Sequence, residues 1–173
     1  MSELIKKKLV PNWPYILGGI IGLAASYKVL QFSKKSSLKD ENILSIELGG
    51  TNAKIALIKK TYNKNTQKYN FEILKRFEIS TNEPEKTIET LLSLVQGEKF
   101  SSIGIASFGP LCLNQSDPNF GSITTTPKPN WGNFKLLSTI KEKTKLERIY
   151  LDTDVNSAAL GEYKLGIKDS KLE

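Results

Sequence analysis

The sequence predicts an α/β domain built on a mixed sheet, preceded by an N-terminal transmembrane helix. The apolar patterning after residue 43 gives the element order βββαβαβα. Three consecutive strands before alternating units indicate a mixed sheet with an antiparallel start. Near the N-terminus, an uncharged segment of about 19 residues has the length that spans a bilayer.

The positive charge of the chain is concentrated at its N-terminus. The net charge is +7 over 173 residues, and residues 1–40 hold seven lysines against two acids. The nearly neutral remainder argues against a nucleic-acid-binding surface spread over the domain. Cys112 is the only cysteine, which excludes an intrachain disulfide. Because histidine is absent, we expect no His/Cys zinc site built from this chain alone.

Residues 1–32 are predicted to form a membrane anchor, and residues 33–42 a polar linker. The uncharged segment at residues 9–27 has lysines on both sides and aromatic residues near its ends. A signal peptide cleaved near residues 24–26 and a buried core helix are the alternatives. We favour a retained single-pass anchor. Because weakly hydrophobic anchors flanked by lysines resemble mitochondrial signal anchors, a mitochondrial membrane is the predicted location.

The first part of the domain, which begins at residue 43, is predicted to be all strand. Residues 43–48 and 53–59 are rich in Ile, Leu and Ala. Residues 61–69 are polar and predict a turn, and residues 70–79 alternate with a period close to two, as a third strand does.

A helix and a buried strand follow. Asn82 is the predicted N-cap of the helix, with Pro84 and Glu85 in its first turn. Gly97 is expected to end this helix, and the apolar run in residues 101–109 predicts the strand. The apolar face of the helix is formed by Ile88, Leu91, Leu92 and Val95.

Residues 107–132 form what we call the proline-rich loop. This segment has neither helical nor strand periodicity, and a loop of such length inside a compact domain is usually functional. A helix from about Phe134, a strand in residues 148–154 and a helix of small residues over 155–166 complete the predicted domain. The prolines of the loop are Pro110, Pro118, Pro127 and Pro129.

The glycine turn, residues 49–52, joins the first two predicted strands. It could be a hairpin turn in which glycine supplies a positive φ. Alternatively, the absence of side chains at Gly49 and Gly50 lets backbone N–H groups approach a phosphate, with Thr51 and Asn52 adding a hydroxyl and an amide. Glu47 precedes the turn and could hold Mg²⁺ through water or position the phosphate-binding loop.

A second polar cluster follows the last predicted strand. Asp152 and Asp154 lie at its carboxyl end, where α/β sheets bind ligands. Asp154 could be a helix N-cap, or its carboxylate could take the proton of an attacking alcohol. Thr153 and Asn156 lie beside these acids and could bind the hydroxyl groups of a sugar.

The proline-rich loop carries a third candidate element. Thr125 lies in a run of three threonines, whose hydroxyls suit hydrogen bonds to a sugar. The indole of Trp131 could cover an apolar sugar face, or it could anchor the loop in the core.

Four segments of the sequence, in this order, resemble the ROK family of sugar kinases, and most closely its fructokinase-type branch. The resemblance runs from about residue 43 to about residue 166. It implies an actin-like ATPase (ribonuclease H-like) fold and the ATP- and Mg²⁺-dependent phosphorylation of a hexose. The segments are "ELGGT" (47–51), "IGIASFGPLCLN" (103–114), "ITTTPKPNW" (123–131) and "DTDVNSAALGE" (152–162).

The resemblance also implies roles for individual residues. Asp154 matches the catalytic aspartate of the family. Phosphate and Mg²⁺ binding fall to Glu47, Gly49, Gly50, Thr51 and Asn52, and sugar binding to Thr125, Trp131, Asp152, Thr153 and Asn156.

Kinases of this family have two lobes, and the resemblance places residues 43–173 in the N-terminal lobe. The adenosine pocket, a second glycine-rich loop and a zinc-binding Cys/His segment belong to the other lobe. We therefore expect residues 1–173 alone to be inactive unless a second lobe or a partner chain completes the cleft. The alternative is a catalytically inactive accessory subunit of a mitochondrial membrane complex, in which the kinase lobe serves as a scaffold.

Overall fold

The structure, a computed structural model, describes residues 40–163, except for the side chain of Lys68. The predicted anchor, residues 33–39 of the linker and the end of the last predicted helix lie outside the described residues. Glu41 and Asn42, predicted as linker, belong to the first strand. Within the described part, none of the helices has the length and apolar character needed to cross a membrane. The anchor therefore stays a prediction.

The described residues form five strands and three helices in the predicted order. They are β1 (Glu41–Leu48), β2 (Asn52–Asn63), β3 (Lys68–Ser80), α1 (Pro84–Ser93), β4 (Ser102–Ser107), α2 (Leu136–Thr144), β5 (Ile149–Thr153) and α3 (Asp154–Gly161).

The strands form one sheet in the order β3-β2-β1-β4-β5. Strand β2 pairs antiparallel with both β1 and β3, whereas β4 runs parallel to β1 and β5 parallel to β4. The predicted mixed sheet with an antiparallel start is confirmed. Because β1, β4 and β5 are parallel, their carboxyl ends meet at one edge, which we call the carboxyl edge. There Leu48 pairs with Ser107, and Ser107 pairs with Thr153.

One face of the sheet carries the hydrophobic core. Alternate residues of a strand point to the same face, and the apolar residues of β1 and β2 that point here are fully buried. They form one cluster with the buried sides of α1 and α2, and burial of each large side chain contributes about 1.5–3 kcal/mol. The cluster includes Leu44, Ile46, Leu48, Ile55, Leu57, Ile88, Leu91, Leu136 and Ile140.

The β2–β3 hairpin is longer than predicted, because its turn occupies residues 64–67 rather than 61–69. Tyr62 and Tyr69 face each other across the two strands, with ring centroids 5.0 Å apart. Such cross-strand aromatic pairs stabilise the ladder. The side-chain oxygen of Asn63 accepts two backbone N–H groups and closes the turn.

The N-cap of helix α1 lies one residue later than predicted, and Pro84 is in the first turn as predicted. Its first residue is Pro84 and its N-cap is Glu83, without a side-chain cap. Asn82 instead donates its backbone N–H to Thr87 Oγ1 at 2.9 Å and its side-chain amide to the carbonyl of Ser80. The fixed φ of proline suits the first position of a helix, and it sets this boundary.

Helix α2 also begins later than predicted. Phe134 precedes it and packs edge-on against Trp131, with ring centroids 5.5 Å apart. The helix starts at Leu136 and buries Leu136 and Ile140, whereas Leu137 is only half-buried.

A buried ion cluster holds the strands together at the edge opposite the carboxyl edge. The Glu41 carboxylate accepts hydrogen bonds from Lys60 Nζ (2.7 Å) and Ser101 Oγ (2.6 Å), and Arg148 Nη1 lies 3.3 Å away. Only 1% of the Lys60 side chain is exposed, and its ammonium also lies over the ring of Tyr69. Strands β1 and β2 and the residues before β4 and β5 all meet at this carboxylate.

The environment of Glu41 favours its charged form. Burial alone would raise the pKa of this carboxyl. The hydrogen bonds from Lys60 and Ser101, together with the charges of Lys60 and Arg148, outweigh burial and lower the pKa from its ordinary value.

We predict that Glu41→Gln lowers the free energy of unfolding by about 3 kcal/mol at neutral pH, because the Lys60 ammonium stays buried without a counter-charge. A lowered folded-state pKa gives stability that is present above the unfolded-state pKa and lost as the pH falls through the folded-state value. The difference between wild type and variant should therefore shrink on acidification, as measured by urea unfolding.

Glu98→Gln is the matched control for this prediction. It removes the partner of Lys75 in an ion pair whose side chains are 48% (Lys75) and 29% (Glu98) exposed. Its expected cost is about 0.5 kcal/mol. Equal losses in the two variants, or a loss in Glu41→Gln that does not change with pH, would contradict the assignment.

Candidate functional site

Three of the predicted site segments meet at the carboxyl edge. Glu47, Ala106 and Asp152 are in register on β1, β4 and β5, so their side chains leave the sheet on the same face. This face is opposite to the core face, which carries Leu48. The Cα atoms of Glu47 and Asp152 are two strands apart, about 10 Å.

The glycine turn is closed by a hydrogen bond from the N–H of Gly49 to the carbonyl of Asn52, at 2.9 Å. A Cβ on Gly49 would lie 2.8 Å from that carbonyl oxygen, whereas a Cβ on Gly50 would meet nothing within 4 Å. Neither glycine has a positive φ. Glycine is therefore required at position 49 because the backbone of Asn52 lies so close. The hairpin interpretation, in which glycine supplies a positive φ, does not apply here.

Three consecutive carbonyl oxygens of the glycine turn are held by donors from other segments. Thr81 Oγ1 donates to the carbonyl of Gly49 at 2.7 Å, and the N–H of Thr81 donates to the carbonyl of Thr51 at 2.8 Å. Between them, Lys128 Nζ donates to the carbonyl of Gly50 at 2.7 Å.

This arrangement decides where the N–H groups of the turn point. In a planar trans peptide, the C=O of one residue and the N–H of the next point in opposite directions. The held carbonyls therefore direct the N–H groups of Gly50, Thr51 and Asn52 away from Thr81 and Lys128. Within residues 40–163, the N–H groups of Gly50 and Thr51 have no hydrogen-bond acceptor. Successive free backbone N–H groups form a concavity that suits an anion.

Glu47 lies beside the turn with 12% of its side chain exposed, and its Oε1 accepts from Lys54 Nζ at 3.1 Å. The described residues contain no group of three or more potential metal-ligating side chains. One carboxylate fits Mg²⁺ nonetheless, since this ion is usually bound through one or two carboxylates, substrate phosphates and water. Oε2 of Glu47 is not used by Lys54.

In the second polar cluster, the helix N-cap is not Asp154. Thr153 is the N-cap of α3, and its Oγ1 accepts the N–H of Asn156 at 3.1 Å. This corrects the N-cap alternative for Asp154, which is the first helical residue. Within the described residues, Asp154 Oδ1 accepts only the neighbouring N–H of Val155, at 2.9 Å, and the side chain is partly exposed. The helix N-terminus favours a carboxylate there.

Asp152 is buried, and its side chain positions its neighbours. Only 8% of it is exposed. Its Oδ1 accepts the N–H of Thr153 at 2.8 Å and the side-chain amide of Asn156 at 2.9 Å. The buried aspartate therefore fixes the start of α3 and the orientation of the Asn156 amide.

The proline-rich loop contributes one exposed hydroxyl and one buried ring. Thr124 is bound through its N–H and hydroxyl to the carbonyl of Pro110, whereas the neighbouring Thr125 is exposed. Trp131 is fully buried, and its indole N–H donates to the carbonyl of Asn82 at 2.7 Å. The structure thus places this indole in the core, as the anchor alternative expects, and not at a sugar-facing surface.

Sequence reasoning missed two residues of this site, Lys128 and Thr81. Lys128 had a detectable signal, because it is the one charged residue in the segment of the loop that resembles the sugar-side motif. Thr81 had none, since its proximity to the glycine turn depends on the pairing of β2 with β3.

The strand order and the polar carboxyl edge together describe an α/β domain built on a mixed sheet. The chain belongs to the ROK family, whose sequence pattern matches residues 43–171. The described domain is similar to a ROK family glucokinase from Streptomyces griseus, whose structure contains glucose and AMPPNP. The TM-score is 0.53 at 20% identity, over 72% of this chain and 37% of that one. This likeness confirms the predicted α/β mixed-sheet fold of the domain.

Sequence relatives include two fructokinases. The chain is 39% identical to the fructokinase of Lactococcus lactis subsp. cremoris over 126 residues, which are 72% of this chain and 40% of that protein. It is 38% identical to the fructokinase of Pediococcus pentosaceus over 123 residues, which are 71% of this chain and 39% of that protein. The chain therefore spans about 40% of the length of these relatives.

The two glycines of the turn are expected to respond differently to alanine. Gly49→Ala forces a Cβ against the carbonyl of Asn52 and should cost about 2 kcal/mol of stability. Gly50→Ala places its Cβ in open space, so its stability should equal the wild type or exceed it by up to about 1 kcal/mol. Thermal unfolding of both variants checks this. A loss in Gly50→Ala as large as that in Gly49→Ala would contradict the turn geometry.

Proposed function

We propose that the described domain is one lobe of a fructokinase-type hexose kinase. The reaction is the transfer of the γ-phosphoryl group of ATP to the 6-hydroxyl of D-fructose, giving ADP and fructose 6-phosphate. The observation that carries the proposal is the set of held carbonyls in the glycine turn, which directs N–H groups outwards. Similarity to two fructokinases supports the choice of sugar.

In the proposed mechanism, the glycine turn binds the phosphoryl donor and Asp154 acts on the acceptor hydroxyl. The N–H groups of Gly50 and Thr51, with the side chains of Thr51 and Asn52, hold phosphate oxygens of the nucleotide. Asp154 accepts the proton of the sugar hydroxyl as its oxygen attacks the γ-phosphorus and ADP leaves. The partly exposed carboxylate suits a base at this position, because among residues 40–163 it accepts a hydrogen bond only from the N–H of Val155.

Sugar and metal are assigned to neighbouring residues. The exposed Thr125 hydroxyl, Thr153 and the Asn156 amide, oriented by Asp152, would bind the hydroxyls of the sugar. Glu47 would hold Mg²⁺, which offsets the charge of the transferred phosphate when it is bound.

The proposal assigns only one side of a cleft to residues 40–163. Phosphoryl transfer requires both nucleotide and acceptor to be positioned, and positioning supplies most of the rate. We therefore propose that turnover needs a second lobe, supplied in the same polypeptide or by a partner chain. No observation among the described residues favours the accessory-subunit alternative, and a mitochondrial membrane location remains a proposal from the N-terminal segment.

A chimaera of residues 40–166 with the remaining lobe of the Lactococcus lactis fructokinase tests the assignment of the base. We expect ATP-dependent phosphorylation of fructose, and Asp154→Asn should lower kcat by about 10²–10⁴-fold. Nucleotide binding should be retained, because Asp154 contacts the acceptor.

Asp40→Asn is the matched control, since it makes the same change at the exposed residue before β1, beyond the opposite edge of the sheet. It should leave kcat unchanged. Turnover in the Asp154→Asn chimaera equal to that of the parent chimaera would show that the base is misassigned.

A further inference from the structure

We propose that Lys128 is a positioning residue for nucleotide binding, which couples the proline-rich loop to the glycine turn. The inference rests on the proposed function, because it assigns a role within the same phosphate site. The ammonium of Lys128 holds the carbonyl of Gly50 and thereby keeps the N–H of Thr51 directed at the bound phosphate.

The contacts of Lys128 show how it does this. Its Nζ donates to the carbonyl of Gly50 at 2.7 Å and to the carbonyl of Thr81 at 3.1 Å. Thr81, which is buried, is the residue that holds the other two carbonyls of the turn. One ammonium therefore binds both the turn and the segment that supports it. An ammonium has three donors, so one remains after these two bonds.

The loop around Lys128 is built to keep the side chain in place. Pro127 and Pro129 flank it and fix two φ angles. The backbone N–H of Lys128 donates to Thr126 Oγ1. The backbone N–H of Trp131 donates to the carbonyl of Lys128. The buried indole of Trp131 is bound in turn to the carbonyl next to Thr81, that of Asn82. Lys128 and Trp131 thus both bind the proline-rich loop to the segment of Thr81 and Asn82, which supports the glycine turn.

Within the described part of the chain, the charge of Lys128 is not neutralised by an ion pair. Among residues 40–163, no carboxylate forms a salt bridge with it. A half-buried cation bound only to carbonyls beside free N–H groups makes this side of the turn electropositive. Two roles follow that experiment can separate: orientation of the Thr51 N–H through Gly50, and direct attraction of phosphate by charge.

The test uses the full 173-residue chain in detergent micelles, with ¹⁵N-labelled glycine and threonine and MgADP as the probe. In the wild type, the amide signals of Gly50 and Thr51 should shift on addition of MgADP. Lys128→Met should weaken MgADP binding at least tenfold and should also move the Thr51 amide signal of the ligand-free chain. Lys128→Arg, which retains the donors, should recover most of the affinity.

Lys135→Met is the control, because it removes the same charge from an exposed residue close by that does not contact the turn. The affinity of Lys135→Met for MgADP should stay within about twofold of the wild-type affinity. Unchanged MgADP affinity in Lys128→Met would overturn the proposal. Weaker binding with an unmoved ligand-free Thr51 signal would also overturn it, in favour of direct attraction by charge. Because the adenosine pocket is expected in the second lobe, a wild type that does not bind MgADP is measured again as the chimaera with that lobe. Absence of binding there would refute the proposed function, and the ligand-free spectra would still decide whether Lys128 orients Thr51.

Discussion

The carboxyl edge of this domain depends on one constraint: the carbonyl oxygens of Gly49, Gly50 and Thr51 are all held by residues outside the turn. Because each peptide is planar, a carbonyl held on one side leaves the following N–H on the other. Two of the donors come from Thr81 and one from Lys128. A glycine pair alone would leave the turn free to rotate its peptides, and these donors remove that freedom before any ligand arrives.

The sheet explains how such distant donors reach one turn. The antiparallel β2–β3 ladder ends with Asn52 opposite Ser80, which places Thr81 beside the turn. The parallel pairing of β1, β4 and β5 brings Asp154 to the same edge. At the other edge, the ion cluster of Glu41 joins the beginnings of these strands, and a change in their register would disrupt both edges together.

The sequence allowed the order of elements, the mixed sheet and the polar carboxyl edge to be predicted, because these depend on local periodicity and on strands ending in polar residues. It placed the N-cap of α1 one residue too early. It did not allow the length of the β2–β3 hairpin to be predicted, since the Tyr62–Tyr69 pair forms only across the two strands. The burial of Trp131 and the support of the turn by Thr81 and Lys128 required the tertiary structure. Local sequence indicates which residues carry reactive groups, but not which of them face a ligand.

A crystal structure of the full chain with MgADP tests the central claim most directly. The account predicts a phosphate group of the nucleotide with oxygens about 3 Å from the backbone nitrogens of Gly50 and Thr51. It also predicts that Lys128 and Thr81 keep their bonds to the three carbonyls, and that Asp154 faces the open side of the site. A nucleotide bound elsewhere, or a glycine turn whose carbonyls face the phosphate, would contradict it.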